Sequence, residues 1–483
     1  VTVILAFPVA YYISFYVRPE RKSLWLFLIT IPFWTSYLIR VFLWRVILAF
    51  DGPVNGTLTG FGVIDQPLPW LLYNATAVVI TLAHAFAPFA VLPIFVALEK
   101  IDRSLLEASR DLGESPAMTF LRVTLPLAMP GVLAAVLIVF IPTVGDYVTP
   151  RLVGGSGGTM IANMIYAQIF DLNDRPMGAT LAVLAMTIVA LTLIWAISRV
   201  RLWLWLGGRI SGRARLLVLA APVAEIALIG WVIGQGPAIF GPIPALLALA
   251  GAVLISSAAI LFSVPRGKVR GMTARPLFIF AGLYLLVLYA PIVLLPLFAF
   301  NDGTVIAFPL RGVTLDWFAA LLDTPALHDA TLNSLIIAVS TAVFATTLGL
   351  FAARAATRYR FPLKGGIVGF IMLPLVLPEV IVAISLLVVL MQIGIDPGLW
   401  TIILGHTLIS TPFAIAILQG SFSNMDNSLE EAAIDLGETR WGTFRLITLP
   451  LVTPGIVASL LICFTISLDE FIIAFFLSGN APT

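Results

Sequence analysis

Charge is scarce in this sequence. Only 11% of its 483 residues are Asp, Glu, Lys or Arg, while 60% are hydrophobic. An average soluble domain carries about 25% charged residues, so the deficit excludes water as the main solvent. The net charge of +2 is small. The basic residues sit in short clusters between apolar runs rather than on one face, which gives no basis for nucleic-acid binding. Cysteine is almost absent. Cys463, inside an apolar run, is the single one, which excludes an internal disulfide and a thiolate zinc site. Of the three histidines, His84, His328 and His406, two lie in apolar runs, where packing and hydrogen bonding suit them better than metal ligation. No paired histidines or His/Asp set is visible that would suit an integral membrane enzyme. A G-x-x-x-x-G-K-[ST] phosphate loop is also missing; Gly267-Lys268 lacks its context. The chain opens at Val1 inside an apolar segment and closes at Thr483 just after another, so both ends read as truncated and the lack of a leader carries no weight.

What is present is long apolar stretches. About 20 apolar residues span a bilayer. Twelve candidate spans are predicted, at roughly 1–17, 24–48, 75–98, 127–145, 178–198, 216–234, 243–264, 277–298, 333–353, 366–393, 399–420 and 451–476. Backbone satisfaction in lipid makes them helices, so the expected fold is an all-α polytopic membrane protein. If Arg18, Arg21 and Lys22 are cytoplasmic, strict alternation assigns 22 of the 27 Lys and Arg to cytoplasmic loops, as the positive-inside bias requires. The other five are Arg40, Arg45, Arg151, Arg175 and Arg311.

An internal repeat carries the most information. Residues 107–131, EASRDLGESPAMTFLRVTLPLAMPG, align without gaps to 431–455, EAAIDLGETRWGTFRLITLPLVTPG, with 14 of 25 positions identical at an offset of 324. Both copies fall in loops assigned to the cytoplasm, and the likeness continues weakly to turns at Gly154 and Gly479. Two copies in one orientation imply a pseudo-two-fold axis along the membrane normal. Ser104 with Glu107, and Ser428 with Glu431, are spaced for capping boxes. Gly113 and Gly437 suit the left-handed position that ends a helix. Ser115-Pro116 and Thr439 can open a second short helix. Pro126 and Pro450 mark the start of the next span. Capping leaves Ala108/Ala432, Leu112/Leu436 and Phe120/Phe444 unexplained. Apolar residues repeated on a water-facing loop point to a partner surface.

The pattern E-A-A, three residues, G, nine residues, I-x-L-P resembles the EAA loop of ABC importer permeases. The second copy matches with Glu431, Ala432, Ala433, Gly437, Ile447, Leu449 and Pro450. The first matches with Glu107, Ala108, Gly113, Leu125 and Pro126, and departs at Ser109 and Val123. The resemblance implies that each loop docks on an ATP-binding subunit. It also implies ATP and magnesium on that subunit and no cofactor in this chain. The partners would be two copies of the ATPase inside, a substrate-binding protein outside and the bilayer, in a bacterial cytoplasmic membrane. Residues 1–201 resemble the first permease of a spermidine/putrescine-type importer (IPFWTSYLIR at 31–40, GDYVTPRLVGG at 145–155). Residues 277–483 resemble the second (LPLVLPEVIVAISLLVVL at 373–390, TISLDEFIIAFFLSG at 465–479). Relative to six-span family members, the first half lacks its opening span and the second its last.

Residues 202–276 match neither half. Their two extra spans return the chain to the cytoplasm between one permease and the next, as a fused pair requires. Ionisable residues in spans are costly, ~2.5–3.5 kcal/mol at a helix centre, and are therefore substrate-pathway candidates: Asp146, Glu379, Asp469 and Glu470. The offset pairs Asp146 with Glu470, each 20 residues beyond the loop's proline, or ~30 Å along a straight helix. Facing carboxylates suit a diamine; interfacial helix caps, or pairing with Arg40 or Arg45, are the alternatives. Trp34, Tyr37 and Tyr147 could add cation–π contacts, with interfacial belting as the plainer role. The expected function is a permease moving a small cationic solute, polyamine first, with opines, thiamine or ferric ion as alternatives. An ATP-independent secondary transporter also has two parallel halves, but gives no reason for two EAA loops.

Overall fold

The computed structural model describes residues 1–174, 176–187, 275–303, 312–375, 377, 379–423 and 425–479. The linker 202–276 and its spans 216–234 and 243–264 lie outside these residues, apart from 275–276. Helices account for the regular structure, and the described residues contain no strand, only isolated bridges at Asn74–Gly157 and Asn301–Val313. Two compact units are formed, 1–314 and 315–483.

In the first unit the chain runs through α1 (Thr2–Tyr16), α2 (Pro19–Thr30), α3 (Tyr37–Ile47), α4 (Pro53–Gly60), α5 (Ala75–Ala85), α6 (Ala87–Glu99), α7 (Arg103–Asp111), α8 (Pro116–Thr119), α9 (Leu125–Val144) and α10 (Ile161–Tyr166). Then come α11 (Pro176–Thr187) and α12 (Arg275–Ala299). Among the described residues five helices are long and apolar enough to cross a membrane, at 116–144, 275–299, 325–358, 399–423 and 440–469. The predicted spans 24–48 and 75–98 are broken instead of straight: the first bends by 86° between residues 34 and 37, the second by 51° at Phe86. Proline explains the second break. Pro88 sits in the first turn of α6, has no N–H to donate to the His84 carbonyl four residues back and crowds that carbonyl with its ring, so α5 cannot run on unbroken.

The core of the first unit is a seam of small and branched residues. Ala6, Ala10 and Ile13 of α1 pack with Ala90, Ile94 and Leu98 of α6, and with Ala128 and Ala135 of α9. Small side chains let helix backbones approach closely in lipid. Helix α12, read from the sequence as the start of the second half, packs into this first unit through Leu277, Ala281 and Leu288. Two polar bonds pin it: His84 Nε2 to the Leu288 carbonyl at 2.9 Å and Tyr289 OH donating to the Leu28 carbonyl at 2.9 Å. Its other face, with Leu283, Leu286 and Val293 exposed, is the apolar surface lipid would cover.

In the second unit α13 (Asp316–Leu322), α14 (Pro325–Arg358), α15 (Lys364–Ile371), α16 (Glu379–Gln392), α17 (Leu399–Ser423), α18 (Asn427–Asp435), α19 (Arg440–Thr443), α20 (Leu449–Asp469) and α21 (Ile472–Leu477) follow. The predicted span 366–393 is two helices, α15 and α16, with Glu379 opening the second. The predicted span 451–476 is α20 and α21. Helices α14, α17 and α20 form the centre, with Ala342, Ala345, Ala414 and Cys463 buried together. A ladder runs along α20: Ser459 bonds Thr346 at 3.0 Å, Cys463 faces the Ser410 carbonyl at 3.6 Å and Ser467 bonds His406 Nδ1 at 2.8 Å. The two histidines in apolar runs are thus hydrogen-bonded within helix packing, as expected.

Candidate functional site

The two repeated loops are built alike to the level of single hydrogen bonds. Each opens with an aspartate. Asp102 accepts the Ser104 N–H at 2.9 Å and Asp426 accepts the Ser428 N–H at 3.0 Å. These backbone donors hold both carboxyls below the ordinary aspartate value. The expected capping boxes are therefore corrected. The serines supply amides rather than hydroxyl acceptors, because an Asp two residues earlier already occupies the N-cap, and Glu107 and Glu431 stay exposed.

Each first helix ends as the glycines predicted. Gly113 has φ +87° and Gly437 φ +90°. The Gly113 N–H reaches the Arg110 carbonyl at 2.8 Å and the Glu114 N–H the Ser109 carbonyl at 3.2 Å. Gly437 and Glu438 repeat this with Ile434 and Ala433, at 2.9 and 3.0 Å. This pair of bonds is the Schellman motif. It thrusts the preceding leucine outward: Leu112 is 85% exposed and Leu436 89%.

The second short helices are capped by Ser115, which accepts the Met118 N–H at 3.3 Å, and Thr439, which accepts the Gly442 N–H at 3.0 Å. A π turn follows in each copy, Phe120–Thr124 and Phe444–Thr448. Pro126 and Pro450 come next and cannot donate to the carbonyls four residues back. The change of helical register thus ends two residues before each missing donor. The helix is continuous through this point, running 116–144 and 440–469, so the prolines sit inside the spans and do not begin them.

Phe120 and Phe444 are corrected as well. Phe120 packs edge-on against Phe7 and Tyr11, with centroids 5.7 and 5.8 Å away. Phe444 is buried at 4% exposure, with the Arg354 guanidinium 4.3 Å over its ring. Both rings turn toward their own unit, where aromatic or cationic partners cover them. Ser109 and Ala433 are also buried, while Ala108 and Ala432 are exposed. Ser109 bonds Thr119 at 3.1 Å and ties the two short helices together. Of the repeated residues singled out from the sequence, Glu107, Ala108 and Leu112, and Glu431, Ala432 and Leu436, stay on the outward surface.

Beyond the spans the repeat continues. Asp146 is buried and accepts the Val148 and Thr149 N–H groups at 3.2 and 3.3 Å. Glu470 accepts the Ile473 N–H at 3.0 Å. Both carboxylates thus cap the helical turns that follow, and Asp146 also takes side-chain hydrogen bonds from Thr149 and from Tyr37 on α3, which brings two of the pathway candidates together. The shared terminal glycine is Gly155, not Gly154: Gly155 has φ +55° and Gly479 φ +57°. Asp469 ends α20 and Glu379 opens α16, where its charge suits the helix N-terminus. Tyr37 bonds Thr149 at 2.6 Å, Tyr147 is buried against Tyr166 with centroids 4.9 Å apart, and Trp34 is 68% exposed. Arg40 donates to the Ala85 carbonyl and Arg45 to the Tyr73 hydroxyl. Three anchoring residues escaped the sequence reading: Asp102, Asp426 and Glu430. The first two carried a signal, an N-cap residue at the same offset of 324.

An all-helical membrane chain with the same capped loop in each unit defines a transport permease. It matches the family described as binding-protein-dependent transport system inner membrane component, twice, over residues 3–204 and 345–482. The chain belongs to that family, the ABC importer permeases, and is a multi-pass inner-membrane protein. It is 37% identical over 198 residues to the spermidine/putrescine transport system permease protein PotB of Escherichia coli (strain K12), covering 41% of this chain and 71% of the relative. The Salmonella typhi PotB is 37% identical over 199 residues, 41% of this chain and 68% of the relative. It is 34% identical over 192 residues to PotC of Escherichia coli (strain K12), 40% of this chain and 72% of the relative. The PotB and PotC matches cover different parts of the chain, as expected of two fused permeases.

Proposed function

We propose that this chain is the transmembrane core of an ATP-driven importer for a small cationic solute, with polyamine the first choice. The carrying observation is the pair Leu112 and Leu436, two bare leucines thrust from identical Schellman turns. A large apolar side chain held in water by a rigid turn needs a covering surface, and two copies call for two. Two ATP-binding subunits, holding ATP and magnesium themselves, are the partners of the right number. A binding protein on the opposite face would deliver the solute. Residues 1–201 and 277–483 then act as the two halves, with 202–276 a linker without a transport role. The polyamine choice rests on the named substrates of the PotB and PotC relatives and on the paired Asp146 and Glu470. Opines, thiamine and ferric ion are the other cargoes to test.

The experiment is reconstitution of the complete system in proteoliposomes with labelled putrescine or spermidine. ATP-dependent uptake and co-purification of the ATP-binding subunit are expected. Uptake that persists without that subunit would favour an ATP-independent carrier. If no ATPase co-purifies and Gly437→Asp leaves uptake intact, the importer reading is wrong.

A further inference from the structure

The two loops differ at one point of attachment. Position 106 of the first loop is Leu106, a buried side chain on α7. Its counterpart at the offset of 324 is Glu430 on α18, with 15% of its side chain exposed. Glu430 joins three segments. Its carboxylate lies 3.4 Å from Arg358 Nε and 3.9 Å from Arg354 Nη2, both in the closing turns of α14. It also accepts the Thr448 hydroxyl at 2.5 Å, at the π turn where α20 begins. Arg358 further donates to the Met425 carbonyl at 3.4 Å, just before the loop's N-cap, and Arg354 covers Phe444. Both arginines sit at the C-terminal end of α14, where the helix dipole favours cations.

The first loop reaches the corresponding part of its own unit with the opposite polarity. There the cation is on the loop: Arg103 donates to the Ser14 carbonyl at 2.7 Å, near the end of α1, with its guanidinium 4.2 Å over Phe15. The second loop instead places an anion against two cations. At 3.4 and 3.9 Å the two arginine contacts are ion pairs, and the charge-assisted hydrogen bond is the one from the Thr448 hydroxyl. A partly buried carboxylate bound to two arginines and a hydroxyl cannot shift without leaving charge unpaired.

We propose that Glu430 is the positioning residue that locks the second loop to α14 through Arg354 and Arg358, so that loop, α14 and the head of α20 move as one lever. A push on α18 would then be delivered to α14 directly. This inference rests on the proposed function for the source of the push, but the lock itself does not.

Two measurements test it. In lipid nanodiscs, spin labels at Leu436 and Tyr359, both exposed, report the spacing of loop and helix end. A narrow distance distribution is expected for the parent chain. Glu430→Gln and Arg358→Gln should each broaden it, the double variant should broaden it no further, and Glu430→Asp should retain the narrow form. Arg103→Gln should leave it untouched. In proteoliposomes of the complete importer, Glu430→Gln should lower labelled putrescine taken up per ATP about tenfold, with the ATP-binding subunit still co-purifying. An unchanged distribution in Glu430→Gln overturns the lock. A broadened distribution with unchanged uptake per ATP overturns the lever. Failure of the parent system to take up putrescine with ATP counts against the proposed function, and the distance measurement still decides the lock.

Discussion

Asp102 and Asp426 stand 324 residues apart and make the same bond, each placing a carboxylate oxygen on the N–H of the serine two residues on, at 2.9 and 3.0 Å. Asp102→Ala and Asp426→Ala should each fray the first turn of the loop helix, because an N-cap acceptor is lost. Ser104→Ala and Ser428→Ala should matter less, since each serine also bonds the carboxylate through its side chain but the larger contact, from the backbone amide, is kept. Amide exchange in 103–111 and 427–435 is the readout, and several-fold faster exchange is expected for the aspartate variants only. Equal effects of Asp102→Ala and Ser104→Ala would restore the capping-box reading.

The same bond sets a pH dependence. The backbone donors lower both carboxyls from their ordinary value, so the folded loop favours the ionised form. The stabilisation is fully present above the ordinary aspartate value of about 3.9 and is lost as pH falls through the lowered value. Protection factors in the loop helices, which divide out the intrinsic pH dependence of amide exchange, should therefore be flat from neutral pH to about 4 and fall only below it. Loosening that sets in near pH 6 would contradict this.

At Gly113 and Gly437 a Cβ would meet no atom within 4 Å. Any penalty there is conformational, about 1–2 kcal/mol for an ordinary side chain held left-handed. Gly437→Val should loosen the loop and depress uptake, while Gly437→Asn should be tolerated, since Asn visits that region readily. If Asn and Val behave alike, the backbone angle is not the constraint.

Ser109 has a bonded partner in Thr119, whereas the counterpart of Thr119, Thr443, has a buried hydroxyl without one beside Ala433. A net hydrogen bond contributes about 0.5–1.5 kcal/mol. Ser109→Ala should destabilise the first loop by about that amount, and Ala433→Ser should stabilise the second. Local exchange in lipid measures both. A destabilising Ala433→Ser would mean that the pocket beside Thr443 is too tight for a hydroxyl.

Asp146→Asn and Glu470→Gln remove the charge and keep most of the cap, because the amide oxygen can still accept the Ile473 N–H at 470 and one of the two backbone N–H groups at 146, which bond separate oxygens of Asp146. Under the proposed function, the double variant should insert normally but lose putrescine uptake by about tenfold or more. Full uptake would reduce both carboxylates to their capping role.

Much of this was legible in the residues themselves. Gly113 and Gly437 announced a left-handed turn because glycine, and after it asparagine, adopts that conformation most cheaply. Ser115-Pro116 announced a helix start because proline has no N–H to lose there. The broken spans were less legible: hydropathy counts apolar residues, while the 86° bend before Tyr37 depends on where the backbone turns. Phe120 and Phe444 are not legible in this way: the loop's polarity predicts exposure, while their burial depends on Phe7, Tyr11 and Arg354 in other helices.

The sequence by itself determined the membrane setting, the duplication and the turns of each loop, because these follow from composition and from bonds between residues a few positions apart. Only the tertiary structure decided that α12 docks in the first unit, through His84 and Tyr289, and that Glu430 finds Arg354 and Arg358. Those partners lie 204 and 261 residues apart for α12, and more than 70 for Glu430. Which distant groups meet is set by how helices pack, and helix packing is a property of the whole unit.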